Sequence, residues 1–188
     1  MDAGSLDMLL SALKVEQLTS VRTESSGPFA VRFRAYEHVK FVAVLRGRFE
    51  LQIEGEAGTN AVRQGDCYML TSGRPYRIFN ANVPEADATV LFSTNRDANG
   101  VVHWGDGAAD TVTVGSRATL NSEGAVLLRD KLIPFIRIPT GALEADRIRT
   151  ILTLLSGEFV RGSGATLTAD KYFGALLEQT LRYVLSNG

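Results

Sequence analysis

Hydrophobic and polar positions alternate through the first part of the chain, from about residue 18 to about residue 80. Phe29, Val31 and Phe33 alternate with Arg32 and Arg34, and a period of two is that of a β-strand with one buried face. Glycine or proline interrupts these runs about every ten residues, which is the spacing of turns in sandwiches and barrels. Because no interval between the runs holds a crossover helix, the pattern predicts an antiparallel sheet.

Apolar residues three and four positions apart predict helices at the start of the chain and after the strands. Ser5 precedes a stripe of leucines and predicts a short opening helix with a serine cap. Residues 123–132 have the same helical spacing, and Pro134 ends that predicted helix. Residues 81–110 lack a regular pattern, apart from a short predicted strand at 101–104.

Two longer amphipathic helices are predicted at the end of the chain, at 143–160 and at about 168–185, with a flexible joint at 161–164. The second has an apolar face wide enough to cover a sheet and still contact a second copy of the chain. The simpler interpretation is that both helices only cover the open side of the barrel. We therefore expect a mainly β barrel at 1–140 and a helical hairpin, a candidate dimerisation element, at 141–188.

Composition and charge narrow the classes of protein. The chain has 188 residues, of which 45% are hydrophobic and 22% are charged, as expected for one folded domain with a helical appendage. Its formal net charge of -1 offers no excess of positive charge for nucleic acid. No apolar run approaches the roughly 20 residues of a membrane span, no secretory signal is present, and one cysteine forms no internal disulfide. A cytoplasmic protein without a membrane partner is predicted.

The most specific stretch of the sequence runs from Gly65 to Asn80. It resembles the second motif of cupins, G-x5-P-x-G-x2-H-x3-N. Gly65, Gly73 and Asn80 fall at the spacing of the motif, whereas Thr71 replaces its proline and Tyr76 replaces its histidine. The resemblance implies an antiparallel cupin barrel, that is, a double-stranded β-helix or jelly roll.

The stretch before it resembles the end of the first cupin motif, in which a glutamate lies seven residues before a glycine. Counting back from Gly47 leads to Lys40. The two histidines of the family fall at Arg34 and Tyr36 or, in another spacing variant, at Phe33 and Ala35. A cupin metal site needs imidazoles and a carboxylate, and an ammonium group there opposes a divalent cation. We predict that this chain has neither the usual metal nor another cofactor.

A closer resemblance covers nearly the whole chain. Residues 37–47, 65–66, 73–76 and 110–138 are similar to the cupin-like N-terminal domain of AraC-type bacterial transcriptional regulators. In that family the barrel senses a small molecule, adjoining helices mediate dimerisation, and a C-terminal double helix-turn-helix binds DNA. The resemblance implies an effector-sensing, non-enzymatic domain that forms a homodimer through its C-terminal helices. Because the chain ends at Gly188, we expect either a fragment whose DNA-binding domain lies beyond it or a free-standing sensor domain.

The concave interior of such a barrel is where a small effector is expected to bind. The residues assigned to this pocket are Arg34, Tyr36, His38, Lys40, Tyr68, Arg74, Tyr76 and Trp104. Arg34 and Arg74 are expected at its mouth, where a guanidinium pairs with an anionic ligand. The alternation along 31–36, however, turns Arg34 and Tyr36 outward unless the bend at Glu37–His38 changes the register.

Three alternatives remain open from the sequence. A metal-free cupin barrel can carry out isomerase or epimerase chemistry with a histidine base and a tyrosine acid, and His38 with Tyr76 is the nearest such pair. A purely structural dimerisation module is the second alternative. An improvised metal site using His38 and His103 is the third. Cys67 is predicted to be a buried structural residue rather than an oxidant sensor.

Overall fold

The computed structural model of this chain describes residues 13–160 and 166–187. The strands are β1 (Val15–Ser25), β2 (Ala30–Phe33), β3 (Val39–Arg46), β4 (Arg48–Ile53), β5 (Asn60–Arg63), β6 (Cys67–Leu70), β7 (Tyr76–Phe79), β8 (Ala86–Asp87), β9 (Val102–Trp104), β10 (Thr111–Leu120) and β11 (Phe135–Ile138). The helices are α1 (Ala88–Thr94), α2 (Ser122–Lys131), α3 (Leu143–Val160) and α4 (Thr166–Asn187). The predicted opening helix and the joint at 161–164 lie outside the described residues, except for Leu13, which is not helical.

The strands form two sheets, in the orders β11-β6-β3-β10-β1-β9 and β5-β4-β7-β2-β8. One hydrophobic cluster contains Val44 and Leu70 from the first sheet and Leu51 and Ile78 from the second, so the two sheets face each other. This arrangement confirms the predicted cupin fold. The prediction of antiparallel pairing holds for most strands, but β9 pairs in parallel with β1 and β8 pairs in parallel with β2. Both exceptions are short strands at a sheet edge.

Strand β3 shows how alternation assigns side chains to two environments. Phe41 and Ala43 belong to a cluster that includes the C-terminal helices. Val42 and Val44 belong to the cluster between the sheets, and Lys40 lies on the same inner face, where it lines a cavity. The six-stranded sheet is therefore covered by helices on its outer face and by the second sheet on its inner face.

Helices α2, α3 and α4 confirm three predicted helices to within a few residues. Six apolar residues define the predicted face of α4, and four of them, Phe173, Leu176, Leu177 and Leu181, are buried. They share one core with the outer face of the sheet, whereas Leu185 is 40% exposed. Most of the face predicted to meet a second copy is thus used within the chain itself. None of the described helices has the length and apolar character needed to cross a membrane.

Helix α1 lies within residues 81–110, where the hydrophobic positions follow no regular pattern. Asp87 caps it by accepting hydrogen bonds from the backbone N–H groups of Thr89 and Val90. With seven residues, the helix is too short for an amphipathic period to be recognised, and only the aspartate before it signals a helix start. The helix carries Phe92 to within 6.3 Å of Trp104, measured between ring centroids.

Gly73 brings the segment between β2 and β3 against the turn before β7. Its φ of +71° lies in the left-handed region. A Cβ atom at this position would come within 2.5 Å of the carbonyl oxygen of Tyr36. The Tyr36 N–H donates a hydrogen bond to the Gly73 carbonyl at 2.9 Å. This cupin-motif glycine therefore permits the close approach that sets the position of Tyr36.

Candidate functional site

A cavity of about 840 Å³ lies between the two sheets, within the size range of small-molecule sites. Its lining includes residues of β1, β3, β7 and β10 and residues of α1. Exposed side chains such as Arg34 and Arg96 also line it, so the cavity reaches the surface. The fold therefore provides the concave interior that the sequence predicted.

Lys40 lies on the inner face of β3 within an aromatic cage. Its Nζ donates a hydrogen bond to the Tyr76 hydroxyl at 2.9 Å. The same nitrogen lies 4.2 Å from the ring centroid of Tyr36, 4.6 Å from that of Tyr76 and 4.7 Å from that of Phe33. The rings also support one another, because Phe33 stacks on Tyr76 at 4.4 Å and Tyr36 meets Tyr76 edge-on at 5.9 Å. The cage holds the amine in a defined place.

The surroundings of Lys40, which is half-buried, disfavour its positive charge. Burial lowers the pKa of Lys40 to about 7, and the positive charge of Arg117 lowers it further. Within the described residues, no carboxylate forms an ion pair with Lys40. Lysine is rarely buried without a partner of opposite charge. The aromatic faces compensate this charge only in part.

His38 and Trp104 contribute polar atoms without partners. In the described part of the chain, neither Nε2 of His38 nor Nε1 of Trp104 has a hydrogen-bond partner, and both atoms are buried. Burial lowers the pKa of His38 to about 4, and Lys40 and Arg117 contribute to the shift. His38 is therefore neutral near pH 7. Buried polar atoms are nearly always paired, so these two are candidate partners for a bound molecule.

The tyrosines of the cavity are neutral hydrogen-bonding groups. Burial raises the pKa of Tyr36, Tyr68 and Tyr76 above its ordinary value. Tyr68 is 4% exposed, and its ring lies 5.8 Å from that of Phe135 and 6.4 Å from that of Phe49. These side chains supply apolar surface together with hydroxyl groups, which is typical of a pocket for an organic molecule.

The structure brings together most of the residues that the sequence assigned to the pocket. Those that line the cavity are Tyr36, His38, Lys40, Tyr68, Tyr76 and Trp104, with Arg34 at its rim. Alternation predicted an outward Tyr36, but β2 already ends at Phe33 and a bend at residues 37–38 follows. Arg34 does point outward, where its guanidinium pairs with Asp87 at 2.8 Å.

Arg74 does not lie at the cavity, in contrast to the prediction. Its Nη2 donates to the Glu56 carboxylate at 2.6 Å, and its Nη1 donates to the carbonyl oxygen of Glu54 at 3.3 Å. The turn after β4 thus provides the acidic partner of Arg74, in place of the anionic ligand that was predicted. Two neighbouring motif residues, Arg74 and Tyr76, consequently have different roles.

Arg117 lines the cavity and was missed from the sequence. It lies on β10, directly opposite Lys40 on β3. Val112 and Val114 are buried on the other face of β10, so alternation within the predicted strand places Thr113 and Arg117 together on the inner face. The alternation along β10 can be read from the sequence. The pairing of Arg117 with Lys40 on β3 cannot, because it depends on which strands are neighbours.

The residues of the site do not fit the metal that cupins commonly hold. Lys40 and Tyr76 occupy the positions at which the cupin motifs have a glutamate and a histidine, and they are hydrogen-bonded to each other. Among the side chains that the structure describes, no group of three or more from histidine, cysteine, aspartate and glutamate could hold a metal ion. His103 is instead next to Asp97, with Nε2 3.0 Å from the carboxylate.

Comparison with known proteins identifies the family. The cupin family model matches residues 5–186. This chain belongs to the cupin family. A Streptomyces lividans protein named as an AraC-like transcription regulator is 30% identical to this cupin over 179 residues, covering 94% of the chain and 58% of that protein. A Streptomyces antibioticus protein of the same name is 28% identical, with the same coverage.

The predicted resemblance to AraC-type regulators is confirmed by these two relatives, and this cupin spans 58% of their length. Among solved structures, that of ToxT from Vibrio cholerae is similar to this cupin with a TM-score of 0.41 and 9% sequence identity. The alignment covers 92% of this chain and 55% of ToxT.

Proposed function

We propose that this cupin is the effector-sensing domain of an AraC-type transcriptional regulator and controls an attached helix-turn-helix domain. The observation that carries the proposal is the cavity of about 840 Å³, in which a caged lysine lacks a carboxylate partner among the described residues. A void that results only from imperfect packing of a core is typically small and apolar. This one combines apolar walls with polar groups that a ligand can use.

A ligand in the cavity contacts both sheets at once. Lys40 belongs to β3 and Tyr76 to β7, so a bound effector changes how these two strands are held together. The next residue on β3, Phe41, packs against Phe173 of α4 with 5.8 Å between ring centroids. A ligand that binds one arrangement of strand and helix more tightly than another shifts the population toward it. The proposed signal passes from the cavity through β3 to the C-terminal helices.

The homodimer predicted from the sequence is part of this proposal. On α3, Leu143 is 59% exposed and Leu154 is 56% exposed, and on α4 Leu185 is 40% exposed. These three side chains remain exposed although the inner face of the hairpin packs on the sheet. We expect Leu154→Glu to convert a dimer into a monomer in sedimentation velocity. If the wild-type chain sediments as a monomer, the dimerisation part of the proposal is wrong.

Enzymatic chemistry by His38 and Tyr76 is not favoured by the arrangement of the two groups. The ring of Tyr36 contacts both, at 5.0 Å from His38 and 5.9 Å from Tyr76. Burial raises the pKa of Tyr76 well above its ordinary value, which makes its hydroxyl a poor general acid. The Tyr76 hydroxyl already accepts the hydrogen bond from Lys40. We therefore propose a binding role rather than a catalytic one.

The experiment is a thermal-shift screen of small metabolites, because a ligand that binds the native state raises its apparent stability. Val42 lines the cavity, so Val42→Phe fills part of it and should abolish the shift produced by a hit compound. The matched control is Val126→Phe, because Val126 is 55% exposed on α2, and it should leave the shift unchanged.

A reporter gene under the control of the full regulator gives the functional arm of the same test. Tyr76→Ala should weaken the response to the hit compound and leave the oligomeric state unchanged. If the response persists while the oligomeric state changes, the assignment of sensing to the cavity is wrong. If Val42→Phe does not reduce the thermal shift of any hit, the cavity is not the effector site.

A further inference from the structure

We propose that the effector of this cupin is an organic anion with an apolar body, whose carboxylate or similar group pairs with Lys40 and Arg117. The inference rests on the proposed function, because it names the chemical class that the sensing cavity takes. It follows from three features of the cavity: the sign of its charges, the placement of two cations on one strand pair, and the aromatic surface beside them.

All charged side chains that line the cavity within the described residues are cationic. They are Arg22, Arg34, Lys40, Arg96 and Arg117, and no described aspartate or glutamate lines it. The contrast with the whole chain is large, because the chain carries a formal net charge of -1. Clefts lined by one sign of charge concentrate ligands of the opposite sign.

Two of these cations have acidic partners outside the cavity, and three do not. Arg22 pairs with Glu24 at 2.8 Å, and Arg34 pairs with Asp87. Lys40, Arg96 and Arg117 form no ion pair with any residue in the described part of the chain. The uncompensated positive charge therefore lies toward the cavity, where a ligand can reach it.

Lys40 and Arg117 are direct neighbours across β3 and β10. Like charges at directly opposite positions of an antiparallel pair destabilise the sheet. Burial adds to this cost for Lys40, whose Nζ contacts the Tyr76 hydroxyl and three aromatic rings. An anion held between the two cations removes the repulsion and supplies the missing countercharge. A cationic ligand would increase the repulsion.

The remaining walls favour an apolar body rather than a sugar. Phe33, Phe92 and Trp104 line the cavity together with Ile78, and Phe33 meets Phe92 edge-on with 5.9 Å between ring centroids. Carboxylates, which are strong acceptors for several sugar hydroxyls, are absent from the described lining. An inorganic anion would satisfy the cations but would leave the aromatic surface uncovered. The combination of cations and rings thus specifies an anion attached to a hydrophobic group.

The test compares two fluorescent probes that differ by one charged group. 1-Anilinonaphthalene-8-sulfonate and N-phenyl-1-naphthylamine share the same aromatic rings, and only the first carries a sulfonate. Both are titrated into the 188-residue chain and into each variant at a temperature well below the unfolding midpoint of every protein compared. We expect Lys40→Met to weaken sulfonate-probe binding by about tenfold or more, since pairs of this kind are worth at least 1.4 kcal/mol. Binding of the neutral probe should change by less than about twofold.

Two further variants make the comparison specific to the cavity. Arg117→Gln removes the second cation and should also weaken binding of the sulfonate probe, by a smaller factor because Arg117 is exposed. Arg74→Gln removes an equal charge that is paired with Glu56 outside the cavity, and it should change neither affinity. If Lys40→Met does not fold, Lys40→Gln and Arg117→Gln carry the same test. In the wild-type chain, 4-phenylbutyrate should displace the sulfonate probe better than 4-phenylbutanol, and inorganic phosphate should not displace it.

The proposal is overturned if Lys40→Met, or Lys40→Gln in its place, weakens both probes equally or neither. It is also overturned if the sulfonate probe does not bind the native chain, or if phosphate displaces that probe as well as 4-phenylbutyrate does. A different result is expected if the proposed function itself is wrong and the cavity does not bind effectors. In that case, Val42→Phe would leave binding of both probes unchanged. If Val42→Phe abolishes binding and Lys40→Met has no selective effect, the cavity remains a sensor and only the anionic class is wrong.

Discussion

The two faces of the six-stranded sheet belong to the same strands but differ in how they are completed. On the outer face, Phe41 and Ala43 pack against α3 and α4 in a continuous apolar core. On the inner face, Lys40 and Val42 border a cavity of about 840 Å³. The outer face is closed by this chain's own helices. The inner face is only partly closed by the second sheet, and this difference separates the part that stabilises the fold from the part that we propose binds the effector.

Two charged side chains illustrate the same contrast. Asp66 is fully buried, and its carboxylate accepts hydrogen bonds from Arg137 Nε at 2.9 Å and from the backbone N–H groups of Arg63 and Thr140 at 3.1 and 2.8 Å. The Nζ atom of Lys40 instead contacts one hydroxyl group and three ring faces. The buried carboxylate has three hydrogen-bond donors, whereas the ammonium has no countercharge among the described side chains. Asp66 is therefore expected to contribute to folding, whereas Lys40 is the charge that we propose a ligand completes.

The largest effect is expected from Phe41→Ala on the outer face. Phe41 is 1% exposed, and its loss should lower the free energy of unfolding by about 3–5 kcal/mol, because it leaves a cavity in a close-packed core. The control on the inner face is Val42→Ala, expected to cost about 1 kcal/mol or less. Urea unfolding measures both, and equal costs at the two positions would contradict the distinction between the faces.

Asp66→Asn should lower the free energy of unfolding by about 1–3 kcal/mol, because buried donors lose a charged acceptor. Its control is Glu56→Gln, which removes the carboxylate from the more exposed pair with Arg74 and should cost about 0–1 kcal/mol. A cost for Asp66→Asn no larger than that for Glu56→Gln would show that this buried carboxylate is not needed for folding.

The stability of the wild-type chain should rise between pH 7 and pH 8.5 through Lys40. Burial lowers the pKa of Lys40 to about 7 in the folded state, with Arg117 as a second cause, so the unfolded chain binds more protons in this range. Stability therefore increases with pH, by an amount on the order of 1 kcal/mol. Lys40→Met should flatten the dependence and Lys14→Met, at an exposed position, should not. Urea unfolding at several pH values measures it, and a slope unchanged in Lys40→Met would refute the assignment.

Cys67 should give the smallest effect. Burial raises the pKa of Cys67 to about 12, and its Sγ donates to the Ala145 carbonyl oxygen at 3.3 Å. The thiol therefore stays protonated, and iodoacetamide at pH 8 should modify it only when the chain opens. Cys67→Ala is expected to change the free energy of unfolding by about 1 kcal/mol or less. Rapid alkylation of the folded chain, followed by mass spectrometry, would revive the redox interpretation.

Local periodicity predicted the three longer described helices and the strands other than the two-residue β8, because each pattern depends on residues a few positions apart. It failed for α1, where seven residues provide too few apolar repeats. Motif spacing identified Lys40 and Tyr76 as substitutes for metal ligands. It also grouped Arg74 with them, although the side chain of Arg74 turns to Glu56, because the direction of a turn residue depends on neighbours outside its motif.

The sequence by itself determined where most strands and helices lie along the chain, the cupin class and the presence of an amine where the family has a carboxylate. Only the tertiary structure decided that this amine has no acidic partner among the described residues and that Arg117 lies opposite it. The physical reason is that a hydrophobic pattern specifies which face of a strand is buried, whereas the charges on that face meet through space. Lys40 and Arg117 become neighbours only when β3 pairs with β10, and that pairing places two cations that are distant in sequence on one wall of the cavity.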